Sequence, residues 1–96
     1  MKDTTELTKQ DFARAISSKQ RRRLIDGRFE TGDDIVAVRR FVGLSQLRFA
    51  QALGISVHTL RNWEQGRRRP EGAALALLRI AARHPKILRE NIASAA

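Results

Sequence analysis

Two short helices joined by a tight turn are predicted by one stretch of the chain, LSQLRFAQALGISVHTLRNWEQGRRRP, residues 44–70. Ser45 is a good N-cap for the first helix, and Gly54 supplies its stop. The second helix carries Leu60 and Trp63 three residues apart, which places both side chains on one buried side. Two helices joined by three or four residues that include a glycine form the helix-turn-helix pattern.

The other side of the second helix carries hydrogen-bonding groups. One exposed face, at the spacing i, i+1, i+4, i+5 and i+8, contains Val57, His58, Arg61, Asn62 and Gln65. A helix of about ten residues that presents Arg, Asn and His fits the major groove of DNA. We therefore interpret the second helix as a DNA-recognition helix.

Contacts to the DNA backbone are expected on both sides of this helix. An arginine run follows it directly, and the first motif helix begins with free N–H groups that suit phosphate. The residues expected to contact phosphate are Ser45, Gln46, Thr59, Gln65, Arg67, Arg68 and Arg69. A solvated loop is the alternative interpretation of the arginine run.

This stretch resembles the DNA-binding core of the phage repressor/Cro (XRE) family, and within it the small HigA-type antitoxins. The resemblance covers roughly residues 34–82. It rests on the family spacings of Gln46, Ala50, Gly54, Leu60, Trp63, Glu64 and Gly66. The chain departs from the family at Leu47 and Arg48, where acidic or polar residues are usual, so that this surface is more basic and an apolar side chain is expected to be exposed.

The resemblance implies roles for several residues. It implies that Gln46 opens the first motif helix and contacts a phosphate, and that Arg39 pairs with Glu64 beneath the motif. The residues that it places against base edges are Val57, His58, Arg61 and Asn62. It also implies an operator-binding transcriptional regulator, with a cognate ribonuclease-type toxin as a possible partner.

The remainder of the main domain predicts an all-α, lambda-repressor-like helix-turn-helix bundle of about five helices. Asp33 should cap a helix that ends near Gly43, and a further helix should run from Glu71 to Ala82. Pro85 suits the first position of a last helix. We find no segment in which apolar and polar residues alternate as in a strand.

The N-terminal part predicts a looser helical segment, so that we divide the chain into residues 1–31 and a helix-turn-helix domain with its C-terminal helix at residues 32–96. Short helices are expected from Thr8 to Ile16 and then from Ser17 or Ser18 to Gly27. Residues 27–32, GRFETG, form the best candidate linker, and Phe29 is expected to anchor it to the core.

Composition favours a polyanionic partner and excludes several functions. The net charge is +9, and 15 of the 19 basic residues are arginine, which suits bidentate recognition of phosphate and guanine. The chain has no cysteine and only two histidines, so neither a metal site nor a cofactor is predicted. No membrane span and no signal peptide is predicted, which favours a cytoplasmic protein.

Catalysis is not predicted. A serine or threonine nucleophile needs a base and an orienting acid. Ser56 and Thr59 lie beside His58, but helix capping and phosphate contact explain them, and the carboxylates Asp33 and Asp34 suit the start of a helix.

Three non-enzymatic hypotheses remain from the sequence. The first is a sequence-specific repressor that binds DNA as a homodimer. Its two chains are expected to contact each other through the C-terminal helix, which has an apolar stripe. The second adds neutralisation of a toxin by the segment before Gly32 or by the C-terminal helix. A stand-alone repressor without a toxin is the alternative to it. The third is a general nucleic-acid-binding module, which the Arg and Asn of the groove face disfavour.

Overall fold

A computed structural model of the protein describes residues 16–95, with side chains described to residue 92. This part of the chain contains six helices and no strand, which confirms the all-α class. The helices are α1 (Ser18–Ile25), α2 (Gly32–Val42), α3 (Gln46–Leu53), α4 (Val57–Glu64), α5 (Ala73–Arg83) and α6 (Pro85–Ala95). The helix predicted from Thr8 lies outside the described residues apart from its last position. Among the described helices, none combines the length and the apolar character needed to cross a bilayer.

Local sequence signals set most of the helix ends. The hydroxyl oxygens of Ser17, Ser45 and Ser56 each accept a hydrogen bond, 3.0–3.2 Å long, from a backbone N–H three residues later. These contacts confirm the predicted N-caps. Gly54 ends α3 in the left-handed conformation, with φ of 75°, where a residue without a side chain is favoured. Pro85 begins α6, as predicted.

Two predicted helix starts were each wrong by two residues. The N-cap of α2 is Thr31, so Asp33 lies inside the first turn and not at the cap. Glu71 is outside α5, which begins at Ala73. The cause is Gly72, whose φ of 58° is incompatible with a right-handed helix.

The core lies between the helix-turn-helix motif and the flanking helices. Its largest fully buried side chains are Leu24, Ile35, Val38, Val42, Phe49, Leu60 and Leu78. Phe29 packs against this cluster from the α1–α2 connection, as expected. On α5, Leu78, Ala81 and Ala82 are buried, whereas Leu75 is half-buried. On α6, Leu88 enters the core and Ile87 remains 54% exposed.

Helices α1 and α5 each contribute an arginine that donates hydrogen bonds to the C-terminal end of the other helix. The Nε of Arg79 donates to the carbonyl oxygen of Ile25 over 2.9 Å. In the other direction, Arg21 donates from Nε to Ala82 and from Nη2 to Arg83, over 2.9 and 3.1 Å. Each guanidinium satisfies carbonyls that have no partner inside their own helix and complements the negative end of the helix dipole. These contacts attach α1, with its fully buried Leu24, to the bundle. The boundary between residues 31 and 32 stays a prediction.

Helix α6 closes two further helix ends. Arg89 donates from Nη1 to the carbonyl oxygen of Val42 at the end of α2, over 2.9 Å. Asn91 donates from Nδ2 to the carbonyl oxygen of Ala52 near the end of α3, over 2.7 Å. The last helix therefore fixes the ends of the two helices that precede α4 in the chain.

Candidate nucleic-acid interface

A small buried residue precedes the turn between the two motif helices. Ala50 is 1% exposed on α3, and the backbone N–H of Ile55 donates to its carbonyl oxygen over 3.0 Å. This bond closes the turn between α3 and α4. Leu60 and Trp63 of α4 are buried, which confirms the predicted inner face of the second motif helix.

The outer face of α4 carries the residues expected to contact bases. His58 and Arg61 are exposed, and Asn62 is half-buried. Val57 is also half-buried and packs against the core cluster, so less of its side chain is available than expected. The structure brings the four together on one helix face, and their contacts to bases stay predictions.

A chain of hydrogen bonds links this face to the interior. Arg39 of α2 donates from Nε to Oε2 of Glu64 over 2.7 Å. Gln46 of α3 donates from Nε2 to the other oxygen, Oε1, over 2.8 Å. The side-chain oxygen of Gln46 then accepts a bond of 3.3 Å from Nε of Arg61. Three helices are thereby joined by side chains that end at the exposed guanidinium of Arg61.

The Glu64 carboxylate at the centre of this chain is 6% exposed in its side chain, and both of its oxygens accept hydrogen bonds. Arg39 has a second bond, from Nη1 to the carbonyl oxygen of Leu44 over 3.1 Å. A buried ion pair with satisfied hydrogen bonds costs little, whereas loss of one partner strands a charge. The pair that the family resemblance implied is thus part of a larger network.

The residues expected to contact phosphate differ in how free their side chains are. The hydroxyls of Ser45 and Thr59 already form hydrogen bonds, the first as a helix cap and the second with Ser56 over 3.0 Å. Gln65 ends α4 and is exposed. Gln46 is committed at both ends of its amide, as described above.

The arginine run after α4 is exposed along its whole length. The backbone N–H of Arg67 donates to the carbonyl oxygen of Asn62 over 2.9 Å, which fixes the start of the run against α4. Arg69 donates from Nη2 to the carbonyl oxygen of Glu30 over 3.3 Å. Leu47, the apolar departure from the family on α3, is 56% exposed, as predicted.

Asp34 is a structural hub that sequence reasoning missed. It is 3% exposed and accepts bonds from both Nη atoms of Arg23, over 2.8 and 2.9 Å, and from Gln20, over 3.0 Å. The backbone N–H groups of Glu30 and Thr31 also donate to it, over 2.8 and 3.3 Å. The spacing T-x-x-D, typical of a capping box, was the available signal.

The charge of Asp34 is held in place by these donors. Burial alone raises the pKa of the Asp34 carboxyl, but hydrogen bonds from Arg23, Gln20 and two backbone N–H groups outweigh it. The resulting pKa lies well below the usual range for aspartate. The same hydrogen bond raises the pKa of Arg23, so both groups are charged at neutral pH.

Gly32 is the second feature that sequence reasoning interpreted incompletely. A side chain there would overlap the carbonyl group of Glu64 and lie 2.9 Å from the carbonyl oxygen of Trp63. The first turn of α2 therefore touches the backbone at the C-terminal end of α4. Gly32 was predicted as part of a linker, but it lies in close contact with the backbone at the C-terminal end of α4.

Known proteins provide an independent comparison. The model of a family described as the antitoxin component of bacterial toxin-antitoxin systems, MqsA, matches residues 4–92. The curated protein "Antitoxin HigA-2" of Vibrio cholerae serotype O1 is 46% identical over 56 residues, which are 58% of this chain and 54% of that protein. The chain thus spans about half the length of this relative. No solved structure matches the present chain.

These similarities confirm the predicted resemblance to HigA-type antitoxins. The family model extends over nearly the whole chain, beyond the motif on which that resemblance rested. The chain therefore belongs to the MqsA family of antitoxin components of bacterial toxin-antitoxin systems.

Proposed function

We propose that the protein is a sequence-specific DNA-binding transcriptional repressor and the antitoxin of a toxin-antitoxin pair, acting in the cytoplasm. The observation that carries the DNA-binding part is the exposed polar face of α4. Its opposite side is locked into the core by Leu60 and Trp63, and the exposed arginines 67–69 follow it. A rigid helix with Arg, Asn and His on its free side is suited to reading base edges in a major groove.

Selection from a pool of random double-stranded DNA tests this proposal. We expect the protein to enrich an inverted repeat whose half-sites lie about one helical turn apart, roughly 34–36 Å. A general nucleic-acid-binding module would retain DNA without enriching any sequence. Failure of enrichment at moderate salt would therefore reject sequence-specific repression.

Base and phosphate contacts should separate in mutants. Arg61→Ala and Asn62→Ala should weaken binding to the selected operator by about 1–3 kcal/mol each and change binding to random DNA little. Arg67→Ala should weaken both by similar factors, because phosphates carry no sequence information. Binding titrations on the two DNAs provide the comparison. Equal losses on both DNAs for Arg61→Ala and Asn62→Ala would contradict the base contacts.

A homodimer should bind each operator. Only the arginine contacts carry charge, so a dimer should neutralise about four to six phosphates, and log affinity against log salt should have a slope near −4 to −5. The complex mass, measured during the same titration, should correspond to two chains. One chain per operator with a slope of about −2 or shallower would contradict the dimer.

Only part of the apolar stripe on α6 is exposed and available for the predicted dimer interface. Leu88 is 3% exposed and Ile92 packs against the core, so both contribute mainly to the chain's own fold. Ile87 remains exposed on this helix and Ile80 on the preceding one. We propose that the exposed side chains of Ile80 and Ile87 form part of the dimer interface. Ile87→Glu, which introduces a charge there, is the first variant whose complex mass should be measured.

The antitoxin part of the proposal rests on the family and on the relative named an antitoxin. We propose a ribonuclease-type toxin as the partner, bound by the segment before Gly32 or by α6. Co-expression with the product of an adjacent gene, followed by purification and a test of growth rescue, examines this part. A repressor without a toxin is the alternative, and an operator-binding protein whose neighbouring gene product neither binds it nor arrests growth would support that alternative.

A further inference from the structure

The side chain of Gln46 is held in one orientation by the acceptor beside it. Glu64 is a buried carboxylate that accepts from Arg39 at one oxygen and from Gln46 at the other. A carboxylate that pairs with an arginine is ionised and can only accept hydrogen bonds. The amide of Gln46 must therefore turn its NH₂ group toward Glu64. The amide oxygen of Gln46 then faces outward.

The outward oxygen of Gln46 meets the recognition helix. It accepts a hydrogen bond of 3.3 Å from Nε of Arg61, whose side chain is exposed. An exposed arginine otherwise samples many rotamers, and an ordered fork loses less freedom when it binds. Because Nε is occupied, the two Nη groups are the donors that remain free. They form the planar fork that matches the two acceptors of guanine, N7 and O6, in the major groove.

We propose that Gln46 is a positioning residue, which fixes the guanidinium of Arg61 for end-on recognition of guanine. This inference rests on the proposed DNA-binding function and assigns a specificity role to a residue that the family resemblance implies only as a phosphate contact. A glutamine is required because the link needs a donor toward Glu64 and an acceptor toward Arg61 on one side chain. Asparagine keeps both groups but is one methylene shorter, so it cannot span both partners.

Base discrimination is the readout that separates positioning from phosphate contact. The base pair read by Arg61 is first identified as the position where Arg61→Ala loses its preference. Wild-type protein should prefer guanine there by about 10–100-fold over adenine. Gln46→Ala and Gln46→Asn should reduce this preference about tenfold, with binding to random DNA unchanged within about twofold. In the Arg61→Ala background, Gln46→Ala should have no further effect on the preference, because coupled residues are not additive.

The matched control is Gln51→Ala, which removes an exposed glutamine from the same helix and should leave the preference unchanged. If Gln46→Ala weakens operator and random DNA equally and leaves the preference for guanine intact, Gln46 is a phosphate contact and the inference is wrong. If wild-type protein shows no base preference at any position, the proposed function itself fails and this inference with it.

A measurement on the DNA-free protein keeps the inference testable if a variant binds DNA poorly for another reason. The Nε–H proton of Arg61 should exchange slowly with solvent in NMR spectra of wild-type protein, and faster in Gln46→Asn. Thermal melts of the same variants should show cooperative unfolding, since Glu64 keeps its bond to Arg39. Equal exchange rates for Arg61 in wild type and Gln46→Asn would overturn the positioning role.

Discussion

Replacing Asp34 with alanine should destabilise the folded protein by about 3–5 kcal/mol, the range for removing one partner of a buried ion pair. The change would remove the buried acceptor of the Arg23 guanidinium, which would keep only the carbonyl oxygen of Arg28 and the exposed Glu30. It would also leave the N–H groups of Glu30 and Thr31 without their acceptor. Those donors join α1, the connection after it and the start of α2. Denaturant unfolding at pH 7 should therefore show a lower midpoint for Asp34→Ala.

Acid should remove the same stabilisation from the wild-type protein. The pKa of Asp34 is lower in the folded chain than its unfolded value of about 4. Its contribution is therefore fully present above about pH 4 and is lost as the pH falls through the folded pKa. The stability gap between wild type and Asp34→Asn should be large at pH 7 and should shrink as the pH falls below 4.

The matched control for this prediction is Asp33→Asn, in the same helix turn. Asp33 is exposed, so its loss should cost only the helix-dipole contribution, about 0.3–1 kcal/mol. If Asp34→Asn and Asp33→Asn unfold at the same denaturant concentration at pH 7, Asp34 is not the hub described above.

Gly32→Ala should also destabilise the fold strongly, by about 1–3 kcal/mol or more. Alanine inside a helix is normally favoured over glycine by about 0.5–1 kcal/mol. Here the added methyl group would overlap the backbone of Glu64 at the end of α4, and neither helix start nor helix end can turn away as a flexible side chain could. The expected sign is therefore opposite to that of helix propensity. Because the recognition helix must shift, affinity for the selected operator should fall as well.

Gly66→Asn provides the control on the other side of this contact. Gly66 has a φ of 78° and nothing within 4 Å of an added Cβ, and asparagine tolerates this left-handed conformation better than most residues. A small loss of stability is expected, in contrast to that of Gly32→Ala. Thermal melts that rank the two variants the other way would show that the α2–α4 contact is not tight.

The helix-turn-helix motif could be predicted because its signals are local. Ser45 and Ser56 cap their helices with their own hydroxyls, and Gly54 adopts a conformation that glycine favours. The three-residue spacing of Leu60 and Trp63 defined the inner face of α4, and both are buried. The polar residues on the outer face follow from that spacing, because a helix places residues three or four apart on one side.

Helix starts were harder to predict where two signals compete. Asp33 and Asp34 are both suited to a helix N-terminus, and sequence alone favoured the first as the cap. The structure uses Thr31, because the side chain of Asp34 turns back to the N–H groups before the helix. Which of two adjacent carboxylates becomes buried depends on the arrival of Arg23 from α1, a contact between helices.

The sequence by itself determined the helices of the motif and the exposed face of its second helix, because caps, turns and periodicity act within a few residues. It could not assign most of the arginines. Their abundance favoured phosphate recognition, and only the pair of Arg39 with Glu64 was expected, from the family resemblance. In the structure four others bind helix ends or a buried carboxylate: Arg21, Arg23, Arg79 and Arg89. Only the tertiary structure decided which guanidinium groups remain at the surface. A helix carbonyl without a partner, or a buried carboxylate, obtains its arginine only when segments far apart in the sequence pack together. Residue spacing within a helix or turn therefore does not predict these contacts.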